Sequence, residues 1–225
     1  MDDSCASYRA IKQTIADYAA RADRPHADIE LLAVSKRQSE QAIRRLAACG
    51  QNSFGENYLQ EAKEKILALA DLPLSWHFIG PLQSNKTAEV ATLFDWVHTV
   101  DREKIARRLN AARPPDRSPL NVCIQVNISG EKTKSGVLPP ELPELAKCFG
   151  EFPNLNLRGL MALPEPESDF SKQRESFCAL RKLSEQVFGP NIDTLSMGTS
   201  QDYQAAIVEG ATIIRLGTAL FGARS

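Results

Sequence analysis

The sequence has no Cys-x-x-Cys pair, no block of basic residues and no apolar run approaching the ~18 residues of a membrane-spanning helix. Each gap excludes something. A formal net charge of −1 over 225 residues, with no Lys/Arg cluster, leaves no electrostatic footprint for nucleic acid or an anionic membrane. The five cysteines (Cys5, Cys49, Cys123, Cys148, Cys178) are odd in number and far apart, so reduced thiols are expected. Only three histidines are present, His26, His77 and His98. They lack metal-ligand spacing, and no metal is expected. The start, Met1-Asp2-Asp3-Ser4-Cys5, is acidic and without an apolar core, so it does not read as a signal peptide and a cytoplasmic protein is expected.

What the chain does have is 43% hydrophobic residues, enough for a sizeable core, set out in alternation. From Ala6 to about Ala22, Tyr8, Ile11, Ile15 and Tyr18 recur at steps of three and four, which predicts an amphipathic helix. The short apolar run Leu31-Leu32-Ala33-Val34-Ser35-Lys36 then reads as a buried strand ending in a lysine. Seven further strands are expected at 52–55, 75–80, 96–100, 121–127, 155–163, 194–197 and 213–216. Between them the pattern predicts helices. One is capped by Ser39 and stopped by Gly50, one runs from Glu56 to about Ala70, and one from Ser84 to Phe94. Others follow from Asp101 to Ala112, from Pro139 to Gly150, from Ser168 to Phe188, and from a Ser200 cap to Glu209.

Eight strands alternating with helices predict parallel βαβ units closing into an α/β fold, a single (β/α)8 TIM barrel. It takes up residues 1–225 as one domain, and the N-terminal helix before the first strand occupies the gap left by a missing last helix. A doubly wound open sheet is the alternative, and the strand count favours the barrel.

In a barrel, residues just past the strand ends gather on one face. Here they are Lys36, Glu56, Asn57, His77, Gly80, Asn127, Met161, 196–200 and 215–218. Two groups read as phosphate sites. Ser196-Met197-Gly198-Thr199-Ser200 precedes a helix, and Arg215-Leu216-Gly217-Thr218 offers a close backbone approach at Gly217 and a hydroxyl. Either alone is equally well an ordinary cap with a tight turn; together on adjacent strands they favour phosphate. A phosphate site beside a barrel-end lysine points to a phosphorylated aldehyde held as a Schiff base. A free lysine with a pKa of about 10.4 is a poor nucleophile, and burial beside Arg215 would lower that value. A drop of roughly three units costs about 4 kcal/mol, which an enclosed mouth must supply.

Several motifs carry a family resemblance. They are Ala33-Val34-Ser35-Lys36, Phe54-Gly55-Glu56-Asn57-Tyr58, the long run from Trp76 to Lys86, Lys134-Ser135-Gly136, Gly159-Leu160-Met161, Leu195-Ser196-Met197-Gly198 and Arg215-Leu216-Gly217-Thr218. In this order, over nearly the whole chain, they resemble the pyridoxal phosphate homeostasis family. The resemblance implies one barrel similar to the alanine racemase N-terminal domain, binding pyridoxal 5′-phosphate (PLP) on Lys36. Phosphate contacts would come from Ser200, Gly217 and Thr218, and Arg215 would meet either the ring nitrogen or the phosphate. Thr199 stands where the family usually has Met. Asn57, His77 and Met161 are weaker candidates for the pocket lining, each equally readable as core. Lys134 reads as a surface charge or as a second PLP-handling lysine.

The family resemblance implies a carrier that stores, buffers or delivers PLP, with no catalytic residues and apo PLP-dependent enzymes as recipients; with no dimerisation domain expected beside the barrel, a monomer is the expected state. The alternative is a racemase-like PLP enzyme. That chemistry needs acid–base groups on both faces of the substrate, and similar racemases take one from a tyrosine on a second domain, which is not expected here. A Schiff-base aldolase without PLP is a third reading.

Overall fold

The computed structural model describes residues 3–131 and 134–222. Met1 and Asp2 of the acidic start, Lys132 and Thr133 of the polar loop, and the last three residues lie outside the described residues. The strands are β1 (Glu30–Val34), β2 (Ser53–Glu56), β3 (Ser75–Phe78), β4 (Trp96–Val100), β5 (Leu120–Gln125), β6 (Leu155–Met161), β7 (Thr194–Ser196) and β8 (Ile213–Leu216). All neighbours pair in parallel, and β8 returns to β1, with Glu30 opposite Ile213 and Ala33 opposite Leu216, so the sheet closes as a barrel. The expected (β/α)8 architecture is the one observed.

The helices are α1 (Asp3–Arg21), α2 (Glu40–Ala48), α3 (Leu59–Ala68), α4 (Thr87–Leu93), α5 (Glu103–Ala112), α6 (Leu142–Cys148), α7 (Phe170–Phe188), α8 (Tyr203–Val208) and α9 (Thr218–Phe221). Ile11, Ile15 and Ala19 form the buried stripe of α1, which packs on α2, α8 and α9 and so fills the ring beside β8. Arg24, just past α1, donates to the carbonyls of Ile207 and Ala211 at 2.9 and 3.0 Å, tying this end of the chain to the other. Ser39 caps α2 as expected, accepting from the Ala42 N–H at 3.2 Å.

Side chains alternate across each strand. In β1, Leu31 and Ala33 join the large core under the helices. Leu32 turns inward to Ile79 and Ile213 in a small cluster inside the barrel, with Val34 and Trp96 packed against it. The interior also holds polar groups: His77, His98, Ser196 and Arg215 are all buried.

Three expectations shift. Glu56 does not begin a helix; it ends β2, and α3 starts at Leu59. Ser200 does not cap α8, because Asp202 holds the cap position and accepts from the Thr199 N–H and hydroxyl. The Asp202 carboxylate turns back to the loop before α8 and makes no side-chain bond to the helix's own N–H groups. The cysteines are not all reduced: Cys5 and Cys49 form a disulfide with Cα atoms 5.4 Å apart, because α1 packs on α2 and brings the two ends together. Cys123, Cys148 and Cys178 are free thiols.

Candidate functional site

β1 stops at Val34, and Lys36 lies two residues beyond it. Continuing the strand's alternation places Lys36 in phase with Leu32 and Val34, toward the interior. Val34 and Lys36 line a cavity of about 300 Å³ at the C-terminal mouth of the barrel, within the size range of small-molecule sites.

The backbone on either side of Lys36 is anchored. Ser35 points outward: its hydroxyl donates to Glu56 Oε1 at 2.6 Å, and its carbonyl accepts from Lys65 Nζ at 2.7 Å. Lys65, on α3, also meets Glu56 Oε1 at 2.8 Å and Glu61 Oε1 at 2.5 Å. Burial pushes the Glu56 carboxyl up in pKa, and the hydrogen bonds from Lys65 and Ser35 pull it back. On the other side Arg37 has φ +61°, a left-handed conformation unfavourable for a side chain with a Cβ, and its N–H is held by the Glu61 carboxylate.

The two expected phosphate loops adjoin the same cavity. Thr199, Ser200, Arg215, Gly217 and Thr218 all line it. The Thr199 hydroxyl is engaged with Asp202 at 2.8 Å, so Ser200 and Thr218 are the hydroxyls left facing the cavity. At Gly217 the nearest atoms a Cβ would meet belong to Val34, at 3.4–3.9 Å, ordinary contact distances. The protein itself therefore has room for a side chain there, and its absence widens the cradle. Arg215 is 4% exposed and donates to Ser196 Oγ at 2.7 Å and to the Ala162 carbonyl at 2.9 Å. Burial pulls its pKa down to about 10, which leaves it cationic at neutral pH.

Asn57 also lines the cavity, and its Oδ1 is buried without a hydrogen-bond partner. It sits tightly under the turn after β3, where a Cβ on Gly80 would come within 2.0 Å of the Asn57 carbonyl oxygen. His77 and Met161 are fully buried inside the barrel and are not among the lining residues. His77 instead bonds Ser75 and His98. Lys134 pairs with Glu131 at 2.5 Å and is likewise outside the lining.

Sequence reasoning missed Gln38, Ile79, Leu163, Gln201 and Gly222 of the lining, the Glu56–Lys65–Glu61 anchor, and the bonded pair His77–His98. Only His98 left a signal, its inward phase two residues after Trp96. Among the described residues no group of three or more His, Cys, Asp and Glu could hold a metal ion.

A primary amine, two hydroxyls, a guanidinium and an orphan acceptor around one cavity fit an anionic ligand with an electrophilic carbon. PLP, with its aldehyde and phosphate, is such a ligand. Comparison with known proteins points the same way. Residues 7–225 match the family model described as alanine racemase, N-terminal domain. A protein of Pseudomonas aeruginosa named pyridoxal phosphate homeostasis protein is 55% identical, over 95% of this chain and 96% of its own. The solved structure of PipY from Synechococcus elongatus with PLP bound is 35% identical, with TM-score 0.79, covering 92% of this chain and 100% of that one. Alanine racemase from Corynebacterium glutamicum shares the fold alone, at 18% identity and TM-score 0.65, with 62% of its chain covered. The chain belongs to the pyridoxal phosphate homeostasis protein family, built on an alanine racemase N-terminal-type barrel.

Proposed function

We propose that this chain binds PLP and serves its homeostasis, storing, buffering or delivering the cofactor without turning over a substrate. The observation that carries this reading is the convergence of Lys36 and both strand-end loops, after β7 and β8, on one cavity. When bound, PLP would supply an aldehyde carbon for a primary amine and a phosphate for hydrogen-bond donors. Lys36 is the amine. The Ser200 and Thr218 hydroxyls and the backbone at Gly217 receive the phosphate, while the Arg215 guanidinium offsets negative charge from inside the barrel. Asn57 Oδ1 accepts from the ligand. His77 and Met161 act only from behind this layer.

The lining supports a carrier. Among the described residues around the cavity there is no Asp, Glu, His, Cys or Tyr. Lys36 is thus the one general acid–base side chain among them, whereas racemisation needs such groups on both faces. The chain acts as one barrel domain, a monomer in the cytoplasm, with apo PLP-dependent enzymes as recipients. Among the described residues no helix is long and apolar enough to cross a membrane. The Cys5–Cys49 bridge is the feature that runs against a reducing compartment.

Borohydride reduction of the PLP-loaded protein, followed by peptide mass mapping, is expected to place the pyridoxyl group on Lys36. An adduct confined to Lys86 or Lys134 would overturn that assignment. With L- and D-amino acids in deuterated water, α-proton exchange is expected to run no faster than with free PLP. Exchange well above that level, lost in Lys36→Ala, would establish the racemase-like reading instead.

A further inference from the structure

A line of hydrogen bonds climbs the barrel interior from the N-terminal end to the mouth. Ser75 Oγ lies 3.1 Å from His77 Nε2, His77 Nδ1 3.0 Å from His98 Nε2, and His98 Nδ1 2.7 Å from Ser196 Oγ. Ser196 Oγ is the atom to which Arg215 donates at 2.7 Å. Both imidazoles are wholly buried, and His77 stacks on Trp96 with centroids 5.3 Å apart. Burying two such rings is costly unless their nitrogens are satisfied, and the proposed binding chemistry touches neither.

We propose that His98 and His77 are positioning residues for Arg215, joined to it through Ser196 in a relay of one fixed proton order that sets how the guanidinium meets a ligand in the mouth. The order follows from Arg215. A guanidinium only donates, so Ser196 Oγ accepts from it and donates its own O–H to His98 Nδ1. In the reverse order, with His98 Nδ1 donating, the Ser196 hydroxyl proton would be stranded in a buried site, which is costly. His98 therefore carries its proton on Nε2 and donates to His77 Nδ1. His77 in turn carries its proton on Nε2, directed at Ser75 and at the Glu30 carboxylate 3.7 Å away. The charged groups at the two ends are Glu30 below and Arg215 above. Burial holds both rings neutral, and for His98 the neighbouring His77 and Arg215 add to this. Protonating His98 would set an N–H at both nitrogens and break the order next to Arg215.

This inference rests on the mouth-site reading through Arg215, and its test separates the two. In cofactor-free protein labelled with 15N-histidine, NMR is expected to show His77 and His98 as neutral Nε2–H tautomers from pH 5 to 8. An Nδ1–H form at His98, or its titration in that range, overturns the relay whatever the ligand does. Coupling to the site is read in Ser196→Ala and His98→Phe, each expected to weaken PLP about tenfold and to shift the absorbance maximum of bound PLP. His98→Asn, whose amide oxygen can still accept from Ser196, should stay closer to the parent on both readouts. Should His98→Phe fail to fold, Ser196→Ala decides, since it removes a single atom. Unchanged affinity and spectrum in that folded variant overturn the positioning role. Failure to map the pyridoxyl group to Lys36 would strike the site reading and leave the NMR result standing.

Discussion

Lys36 gains its position from the residues on either side of it. Lys65 holds the Ser35 carbonyl and Glu61 holds the Arg37 N–H, so the peptide units before and after Lys36 are both fixed. The left-handed turn at Arg37 costs about 1–3 kcal/mol, and the Glu61 carboxylate offsets part of it. Lys65 also neutralises Glu56, whose side chain is 0% exposed against 6% for Lys65. Removing one partner of a buried pair strands the other's charge, typically at 3–5 kcal/mol. Lys65→Met is therefore expected to lower unfolding free energy by about that amount in urea titrations. Adding Glu56→Gln to it should restore part of the loss, because the buried charge is then gone. Equal losses in the single and double variants would mean that the pair is not coupled.

At the scale of elements, the barrel wall sorts chemistry by strand phase. Odd positions of β1 face the helices and even positions face the interior, and the Lys36 side chain inherits the even phase. The same rule explains why Glu56, ending β2, reaches α3 rather than the mouth. The Cys5–Cys49 bridge joins the start of α1 to the end of α2 across a separation of 44 residues. A closed loop of that size is worth about 4 kcal/mol in the chain-entropy account. Cys49→Ser, or reduction with a thiol, should thus lower stability by about 2–4 kcal/mol. Unreduced, unfolded protein should yield the three thiols of Cys123, Cys148 and Cys178 to alkylation; five would mean that the bridge does not form.

For the whole molecule, the polar barrel interior sets the response to acid. Burial brings His77 down to about 3 and lowers His98 well below its ordinary value. Above pH ~6.5 both rings are neutral whether folded or not, so their neutrality costs nothing. As pH falls below that, the unfolded chain takes up protons that the folded barrel refuses, and stability drops by about 1.4 kcal/mol per pH unit for each ring. His98→Asn should flatten the dependence of urea-unfolding free energy on pH between 6.5 and 5, even if it lowers the absolute value. Parallel slopes for parent and variant would show that His98 does not stay neutral.

The sequence by itself determined the alternation of strands and helices, the order of the eight strands and the residues beyond their ends that could meet at one mouth. These follow from local periodicity and from the rule that parallel strands need crossovers, both of which can be read along a single chain. Lys36, Asn57, Ser200, Arg215, Gly217 and Thr218 were found this way, and all of them line the cavity. Only the tertiary structure decided which buried groups share a partner. Lys65 is an ordinary helix lysine until α3 docks over β1 and β2. Cys5 and Cys49 are unrelated until α1 lies on α2. His77 and His98 are two strand histidines with no evident link until ring closure sets Ser196 and Arg215 above them. Strand phase states whether a side chain faces in or out, but the partner it meets depends on register and on closure of the ring, which sets Glu30 opposite Ile213 and brings His98 to Ser196, 98 positions further along the chain.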